Sequence, residues 1–178
     1  MFKSKDRKAF AGTVIAISFA TTFLLTSCTT DGGIKTAGVS QATPQPIANS
    51  EYISVTGKIG EQPALTAPKG NPPSSLVVRD ITTGTGAVAT ATSKLTLHYT
   101  LMSWSNGKVL GSSYSAGKPS TFLLSNVIPG WQQGVPGMKA GGRRLLIIPP
   151  ALAYGANGAG PIAPNETLIF VVDLIAVA

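Results

Sequence analysis

The sequence from residue 75 onward predicts an α+β domain, an antiparallel sheet with one small helix packed on it. Several short segments alternate apolar and polar side chains, which is the period of a half-buried strand. Glycine and proline punctuate the stretches between them, as in turns. Only residues 127–135 have a helical character. Many short strands, frequent turns and a single helix together indicate this fold class.

The strand segments follow from their alternation. In 94–104, Leu95, Leu97, Tyr99 and Leu101 share one face. The sequence SNGK at 105–108 then predicts a hairpin, because Asn-Gly suits a tight turn. The predicted strand segments are 51–60, 76–81, 94–104, 120–124, 143–150 and 167–177.

The predicted helix, VIPGWQQGV at 127–135, carries a tryptophan at Trp131. Ser125 or Asn126 is available as its N-cap. A helix this short is not stable alone in water. We therefore expect the sheet to hold it in place.

The first residues have the pattern of an export sequence. Four basic residues before position 9 precede an apolar run, and the only cysteine, Cys28, follows in LTSC. This stretch resembles a bacterial lipobox, which implies cleavage before Cys28, lipidation of that residue and a membrane anchor. The alternative is an ordinary secretory signal with an unrelated cysteine.

The chain divides into four predicted parts. Residues 1–27 are a lipoprotein signal peptide, and 28–50, rich in small and polar residues, are a disordered tether. Residues 51–74 are an N-terminal extension with a possible extra strand, and 75–178 form the domain. The expected location is outside the cytoplasm, in the cell envelope.

Composition excludes several functions. Residues 28–178 carry ten basic and six acidic side chains, and no basic stripe for nucleic acid is visible. The only adjacent basic pair in residues 28–178 is Arg143-Arg144. No metal-ligand cluster, dinucleotide fingerprint or nucleophile with a base appears, so we expect no cofactor. The only histidine, His98, should face away from Tyr99 and be structural.

Six motifs in register carry a family resemblance. LHYT, G-K-x-x-x-S-S, F-x-L-x-x-VIPGW-x-x-G, GM-x-x-G-x-R, IPPALAYG and IAPNETLIF-x-V-x-L resemble the FKBP-type peptidyl-prolyl isomerases over about residues 75–177. The resemblance implies about five antiparallel strands curled round one short helix, with an apolar pocket that binds a prolyl residue. The implied ligands are prolyl segments of exported proteins and a possible macrolide.

The resemblance also implies roles for residues. Trp131 would form the pocket floor, the Ile128 N–H would bond a substrate carbonyl, and the Tyr154 hydroxyl would donate to substrate. Val127 would border the pocket, while Tyr99, Phe170 and Ile162 would line its walls. The implied catalytic residues are Tyr99, Trp131, Tyr154 and Phe170. The implied substrate-binding residues are Leu110, Phe122, Val127, Ile128 and Ile162.

The chain departs from the family pattern at three positions. Leu110 and Gly111 stand where the family commonly has Phe-Asp, and Ser120 stands where a wall aromatic is common. We expect a more open pocket and reduced turnover. The alternative function is a non-catalytic module or chaperone that binds proline-containing segments.

The opposite face of the sheet is unusually apolar. Leu145, Ile147, Ile169, Val171 and Ile175 should all point away from the helix. A face of this kind is normally covered. We expect residues 51–60 to fold back over it or to add a strand, with a partner protein as the alternative.

Overall fold

The structure is a computed structural model that describes residues 51–178. The predictions for the signal peptide, Cys28 and the tether lie outside these residues. No helix within 51–178 has the length and apolar character needed to cross a membrane. In chain order the elements are β1 Val55–Thr56, β2 Ala64–Leu65, β3 Val77–Thr82, β4 Lys94–Ser103, β5 Val109–Ser112, β6 Ser120–Leu123, a 3₁₀ turn Leu124–Asn126, α1 Pro129–Gly134, β7 Arg143–Ile148, a 3₁₀ turn Pro150–Leu152 and β8 Leu168–Val177.

The main sheet is antiparallel throughout, in the order β3-β7-β8-β4-β5. Strand β6 shares the edge of the sheet with β5: it pairs with Lys94 to Leu97 of β4, whereas β5 pairs with Thr100 to Met102. The six strands therefore occupy five positions across the sheet. This arrangement, with one short α-helix, confirms the predicted fold class.

The inner face of the sheet packs against α1 and forms the main core. The alternation predicted for β4 is observed, with Leu95 and Leu97 fully buried in this core and Tyr99 and Leu101 packed against it. The other buried members are Ala89, Leu124, Trp131, Val135, Met138, Leu146, Ile148, Ile162, Leu168, Phe170, Val172 and Leu174. Trp131 of the short helix is therefore part of this core.

The helix begins differently from the prediction. Its N-cap residue is Ile128, which makes no side-chain cap, so the expectation of Ser125 or Asn126 was wrong. Both of those residues belong to the preceding 3₁₀ turn. Pro129, at the first helical position, needs no hydrogen-bond acceptor and fixes a helical φ.

Glycines allow α1 to lie directly on the sheet. A Cβ atom on Gly130 would stand 2.3 Å from Cγ2 of Ile148, and one on Gly134 would stand 2.8 Å from Cδ2 of Leu146. Both glycines are four residues apart and face β7. At the helix end, Nη1 of Arg144 donates to the Gly134 carbonyl at 2.9 Å. Close packing and this bond hold a helix too short to persist alone.

The outer face is covered by the N-terminal hairpin of β1 and β2. Ile53 and Val55, each 2 % exposed, pack on the sheet in a second core. The sheet contributes the buried residues Met102, Leu145, Ile147, Ile169 and Val171. The prediction that this segment folds back is confirmed, although the hairpin forms its own two-stranded sheet. Ile175 remains 48 % exposed, so the cover is narrower than predicted.

A buried ion pair fastens the hairpin to the outer face. Arg143, 1 % exposed, donates from Nε to Oδ1 of Asp173 at 2.5 Å and from Nη2 to Oδ2 at 2.6 Å. It also donates to the carbonyls of Gly57, Lys58 and Glu61 in the hairpin turn. Burial disfavours the guanidinium charge, but Asp173 outweighs it and raises the pKa of Arg143.

The polar residues beside this ion pair are structural. The Tyr114 hydroxyl donates to Asp173, and burial together with that bond raises the pKa of Tyr114. His98 stacks on the Tyr114 ring with centroids 4.2 Å apart, and its Nδ1 lies 2.9 Å from Oγ of Ser113. His98 therefore has the structural role predicted for it.

Candidate active site

A pocket of about 520 Å³ opens between the inner face and the start of α1. Strands β4, β6 and β8 supply its walls, and the segment around the helix start supplies its floor. The lining residues are Tyr99, Leu101, Phe122, Asn126, Val127, Ile128, Trp131, Tyr154 and Phe170. None of these side chains carries a charge.

Trp131 sits in a ring of aromatic side chains. Its ring centroid lies 5.2 Å from that of Phe170, 5.5 Å from Phe122 and 6.2 Å from Tyr99, all with steep interplanar angles. Edge-to-face contacts of this kind are favourable beyond simple burial. The indole is only 4 % exposed but still lines the pocket. It is thus a rigid floor that leaves a small part of its surface for a ligand.

Three hydrogen-bond donors of the pocket are not engaged by the rest of residues 51–178. They are the Ile128 N–H and the hydroxyls of Tyr99 and Tyr154. Ile128 precedes the first helical turn, where backbone N–H groups lack an intrahelical acceptor. Tyr154 is 40 % exposed at the pocket mouth. These donors are available to a carbonyl-bearing ligand.

The loop that carries Tyr154 is anchored at both ends. The Gly155 N–H donates to Pro150 O, and the Asn165 N–H donates to Gly155 O, both at 2.9 Å. Next to it, the Glu166 carboxylate accepts from Ser105 N at 2.9 Å and from Ser105 Oγ at 2.7 Å. Burial opposes ionisation of Glu166, but these bonds outweigh it and lower the pKa of Glu166.

Most of the predicted site residues meet in this pocket. The structure brings together Tyr99, Phe122, Val127, Ile128, Trp131, Tyr154 and Phe170. It places Leu110 and Ile162 outside the lining: Leu110 is half-buried against the main core and Ile162 is a buried member of it.

Two lining residues were missed from the sequence. Leu101 follows Tyr99 by two positions on β4, so alternation could have placed it on the pocket face. Asn126 ends the 3₁₀ turn before the helix, and no feature of the sequence marked its position.

The adjacent arginines Arg143 and Arg144 both make structural ion pairs. Arg143 lies in the outer ion pair, whereas Arg144 faces inward and is 8 % exposed. Arg144 donates from Nε to Oδ1 of Asp80 at 2.6 Å while its Nη1 caps the helix. It is a positioning residue for the helix that carries Trp131.

The arrangement can bind a small apolar ring and hydrogen-bond the carbonyls beside it. The lining offers no carboxylate, lysine, histidine or cysteine for acid–base or nucleophilic chemistry. The fold and the pocket therefore define a small β-sheet domain with an uncharged pocket that offers apolar surface and a few hydrogen-bond donors to a ligand.

Comparisons with known proteins identify the family. A family model described as FKBP-type peptidyl-prolyl cis-trans isomerase matches residues 86–175. An FK506-binding protein of Streptomyces anulatus is 50 % identical over 121 residues, covering 66 % of this chain and 98 % of that relative. The chain belongs to the FKBP-type peptidyl-prolyl cis-trans isomerases and is an isomerase of that type.

Two further matches come from longer proteins. Outer membrane protein MIP of Legionella longbeachae is 43 % identical over 119 residues, covering 64 % of this chain and 51 % of that relative. The crystal structure of FkpA from Escherichia coli has 32 % sequence identity and a TM-score of 0.57, covering 73 % of this chain and 53 % of that one. This chain thus spans about half the length of each.

Proposed function

We propose that the pocket accelerates X-Pro isomerisation in exported proteins by taking the amide out of water and stabilising its twisted form. Resonance gives the peptide bond a rotation barrier of about 18–20 kcal/mol. An apolar site weakens that resonance, because water no longer stabilises the charge on the carbonyl oxygen. Catalysis then requires only that the twisted amide binds better than either planar form.

Seven of the lining residues have a role in this proposal. The proline ring rests on Trp131 between Tyr99 and Phe170, and Phe122 and Val127 close the sides. The Ile128 N–H bonds a substrate carbonyl. The Tyr154 hydroxyl donates a second bond from the pocket mouth. Leu110 and Ile162 support the wall from the core behind it.

The proposal depends mainly on one observation. Aromatic side chains form the floor of the pocket, and the hydrogen-bond donors of the pocket have no partner among residues 51–178. Five aromatic rings line one pocket of about 520 Å³, and three of them are edge-on to the indole of Trp131. Isomerisation needs no nucleophile and no proton transfer, so an uncharged lining suits it. A volume of this size and a mainly apolar lining with a few polar groups are typical of pockets that bind small molecules.

The test is a protease-free isomerisation assay on X-Pro peptides. Trp131→Ala should reduce the rate to that of the uncatalysed reaction. Because this change removes a buried ring, at a cost of about 3–5 kcal/mol, circular dichroism must show the variant folded at the assay temperature. An unchanged rate in a folded Trp131→Ala protein would contradict the pocket assignment.

Tyr154→Phe provides a second variant that does not disturb the core. Tyr154 is 40 % exposed, so its hydroxyl can be removed without a cavity. We expect a fall in kcat/KM of about 3–10-fold, the value of one hydrogen bond. An FK506-type macrolide should compete for the same pocket and inhibit the wild type.

The alternative function is a module that binds proline-containing segments without turnover. The absence of a side chain at Gly111, beside the pocket, is the observation that favours it. Peptide binding with no acceleration of isomerisation would select this alternative. Binding together with catalysis would exclude it.

We propose further that the protein acts outside the cytoplasm, anchored through lipid on Cys28. The sequence pattern of residues 1–28 supports this, as does the likeness to a relative called an outer membrane protein. Mass spectrometry of the protein from its native membrane should find Cys28 as a lipidated N-terminus, and Cys28→Ser should release the protein. An unlipidated chain that retains residues 1–27 would contradict the anchor.

A further inference from the structure

A second cavity, of about 540 Å³, adjoins the loop that carries Tyr154. One wall is the N-terminal extension at 72–74, and the other is formed by 149–156 with 165 and 167. Four prolines contribute to the two walls, so we call this cavity the proline groove: Pro72, Pro73, Pro149 and Pro150. Residues 72–74 precede the segment 86–175 that the family model matches. The groove therefore exists only because the extension lies against the domain.

Hydrogen bonds fix the wall of the proline groove on the side of the Tyr154 loop. The Gly155 N–H donates to the Pro150 carbonyl, and the Asn165 N–H donates to the Gly155 carbonyl, both at 2.9 Å. All three residues line the groove. Asn165 has a φ of 55°, the only positive φ of a non-glycine residue in the range 51–178. Such a backbone persists only where its surroundings hold it, and it occurs often at binding sites. The wall is therefore preformed.

Three polar side chains of the proline groove are unengaged. Ser74, Asn165 and Thr167 make no side-chain hydrogen bond to any residue in 51–178. Thr167 is only 5 % exposed, yet it lines the groove. The rest of the lining is proline, alanine and glycine, without a charged side chain. Hydroxyl and amide groups beside apolar carbon suit a peptide backbone, which carries one donor and one acceptor per residue. A charged segment would lose water here without gaining a counter-charge.

The proline groove is continuous with the isomerase pocket along one loop. Tyr154 lines the pocket, and the next residues, Gly155 and Ala156, line the groove. Consecutive Cα atoms are about 3.8 Å apart. A proline within a polypeptide has chain on both sides, and that chain must leave through the pocket mouth, where Tyr154 is exposed. A chain that leaves past Tyr154 meets the groove next.

We propose that the proline groove is an extended-substrate site, which binds an uncharged segment of the client chain a few residues away from the proline in the pocket. The proposal rests on the function proposed above. Five extended residues reach about 17 Å, more than the two-residue step from Tyr154 to Ala156. The groove does not touch the reacting amide, so it binds the planar and twisted forms equally. It therefore lowers KM and leaves kcat unchanged.

The test compares three peptides with the full chain in the isomerisation assay. One is Ala-Ala-Pro-Phe, and the other two carry five additional uncharged residues at the amino or the carboxyl end. One of the extended peptides should have a KM about fivefold lower than the short one, the effect of about one net hydrogen bond, with the same kcat. Ser74→Trp fills the groove and should remove this advantage.

Ser75→Trp is the matched control. Ser75 is also exposed and directly follows Ser74, but it does not line the groove. It should retain the KM difference of wild type, and circular dichroism checks that both variants are folded. The proposal is contradicted if wild type shows no KM difference, if both extensions help equally, or if the two variants behave alike.

Other occupants of the proline groove give different results. If the extended peptides have no advantage until residues 33–48 are deleted, the predicted tether occupies the groove. If sedimentation shows a dimer that Ser74→Trp dissociates, a second copy of the chain occupies it. Either result would overturn the assignment to a client segment.

Failure of the extended-substrate site can be told apart from failure of the isomerase. If wild type accelerates none of the three peptides, the isomerase proposal fails, and the groove is judged by the Kd of each peptide from titration calorimetry. Tighter binding of one extended peptide, lost in Ser74→Trp and kept in Ser75→Trp, still supports the groove. Equal Kd values for the three peptides overturn it.

Discussion

The two faces of the main sheet are both apolar, but they are covered to different extents. The outer face is sealed by the hairpin, with Ile53 and Val55 each 2 % exposed. The inner face is covered only in part by α1, and a pocket of about 520 Å³ remains beside Trp131. The outer face also buries an ion pair, whereas the pocket lining is uncharged.

This difference separates stability from function. A closed apolar face gains free energy from burial but offers nothing to a ligand. A face left open at one end gives up part of that gain and retains an apolar site with unengaged donors. The hairpin, the ion pair and the second core therefore support a sheet whose other side carries the proposed isomerase pocket.

Removal of the hairpin should have the largest effect on stability. Deleting residues 51–62 removes Ile53 and Val55, which contribute about 1.5–3 kcal/mol each by burial, and the three carbonyls that Arg143 bonds. We expect the Tm to fall by about 10 °C or more in calorimetry.

The matched control deletes twelve residues, 33–44, from the predicted tether. Its Tm should equal that of the full chain. An unchanged Tm after deletion of 51–62 would show that the hairpin does not stabilise the outer face, and a partner protein would become the better explanation for its apolar character.

Breaking the outer ion pair should have the next largest effect. Arg143→Met leaves the Asp173 carboxylate buried without its cation, which costs about 3–5 kcal/mol. Denaturant unfolding measures the loss. Adding Asp173→Leu should recover part of it, because the uncompensated charge is then removed.

Lys118→Met is the control for charge alone. It removes one positive charge from an exposed site and should change stability by less than about 0.5 kcal/mol. If Arg143→Met and Lys118→Met lower the free energy of unfolding equally, the buried ion pair contributes nothing to stability beyond its net charge.

Much of this arrangement could be predicted from the sequence. Period-two alternation located β4, and continuous apolar runs located β7 and β8, since both faces of those strands are buried. The apolar outward positions on β7 and β8 predicted the hairpin cover. The family resemblance of the motif around Trp131 implied its place at the pocket, and the structure places it in the lining.

The rest depended on contacts between distant residues. Arg143 and Arg144 are adjacent in sequence, but opposite faces of β7 give them unrelated partners in Asp173 and Asp80. The N-cap prediction failed because a 3₁₀ turn occupies Ser125 and Asn126. Alternation alone could not place Leu110 and Gly111 opposite β4, because an irregularity in the pairing of β4 and β5 shifts the register there.

The smallest expected effect is the pH response of Glu166 near the pocket loop. Its folded pKa is lowered from the ordinary value of 4.5 by the bonds from Ser105, which outweigh burial. A lowered carboxyl pKa contributes stability above the ordinary pKa, and that contribution is lost as the pH falls through the folded pKa. Glu166→Gln should therefore cost about 1–2 kcal/mol at neutral pH.

Unfolding free energies measured from pH 7 to pH 3 test this sign. The difference in unfolding free energy between wild type and Glu166→Gln should become smaller below about pH 4.5. Glu61→Gln, at an exposed position, should follow wild type throughout. A difference in unfolding free energy that stays constant from pH 7 to pH 3 would contradict a role for the Glu166 charge.

We propose that the open inner face performs isomerisation and that the sealed outer face only stabilises the fold. The most direct measurement compares Trp131→Ala with Ile53→Ala, recording kcat/KM and the free energy of unfolding on the same samples. Both changes cost about 2–5 kcal/mol of stability. We predict that Trp131→Ala lowers kcat/KM by about 100-fold or more, some 2.7 kcal/mol, while Ile53→Ala stays near wild type. Equal losses of activity in the two folded variants would contradict the claim.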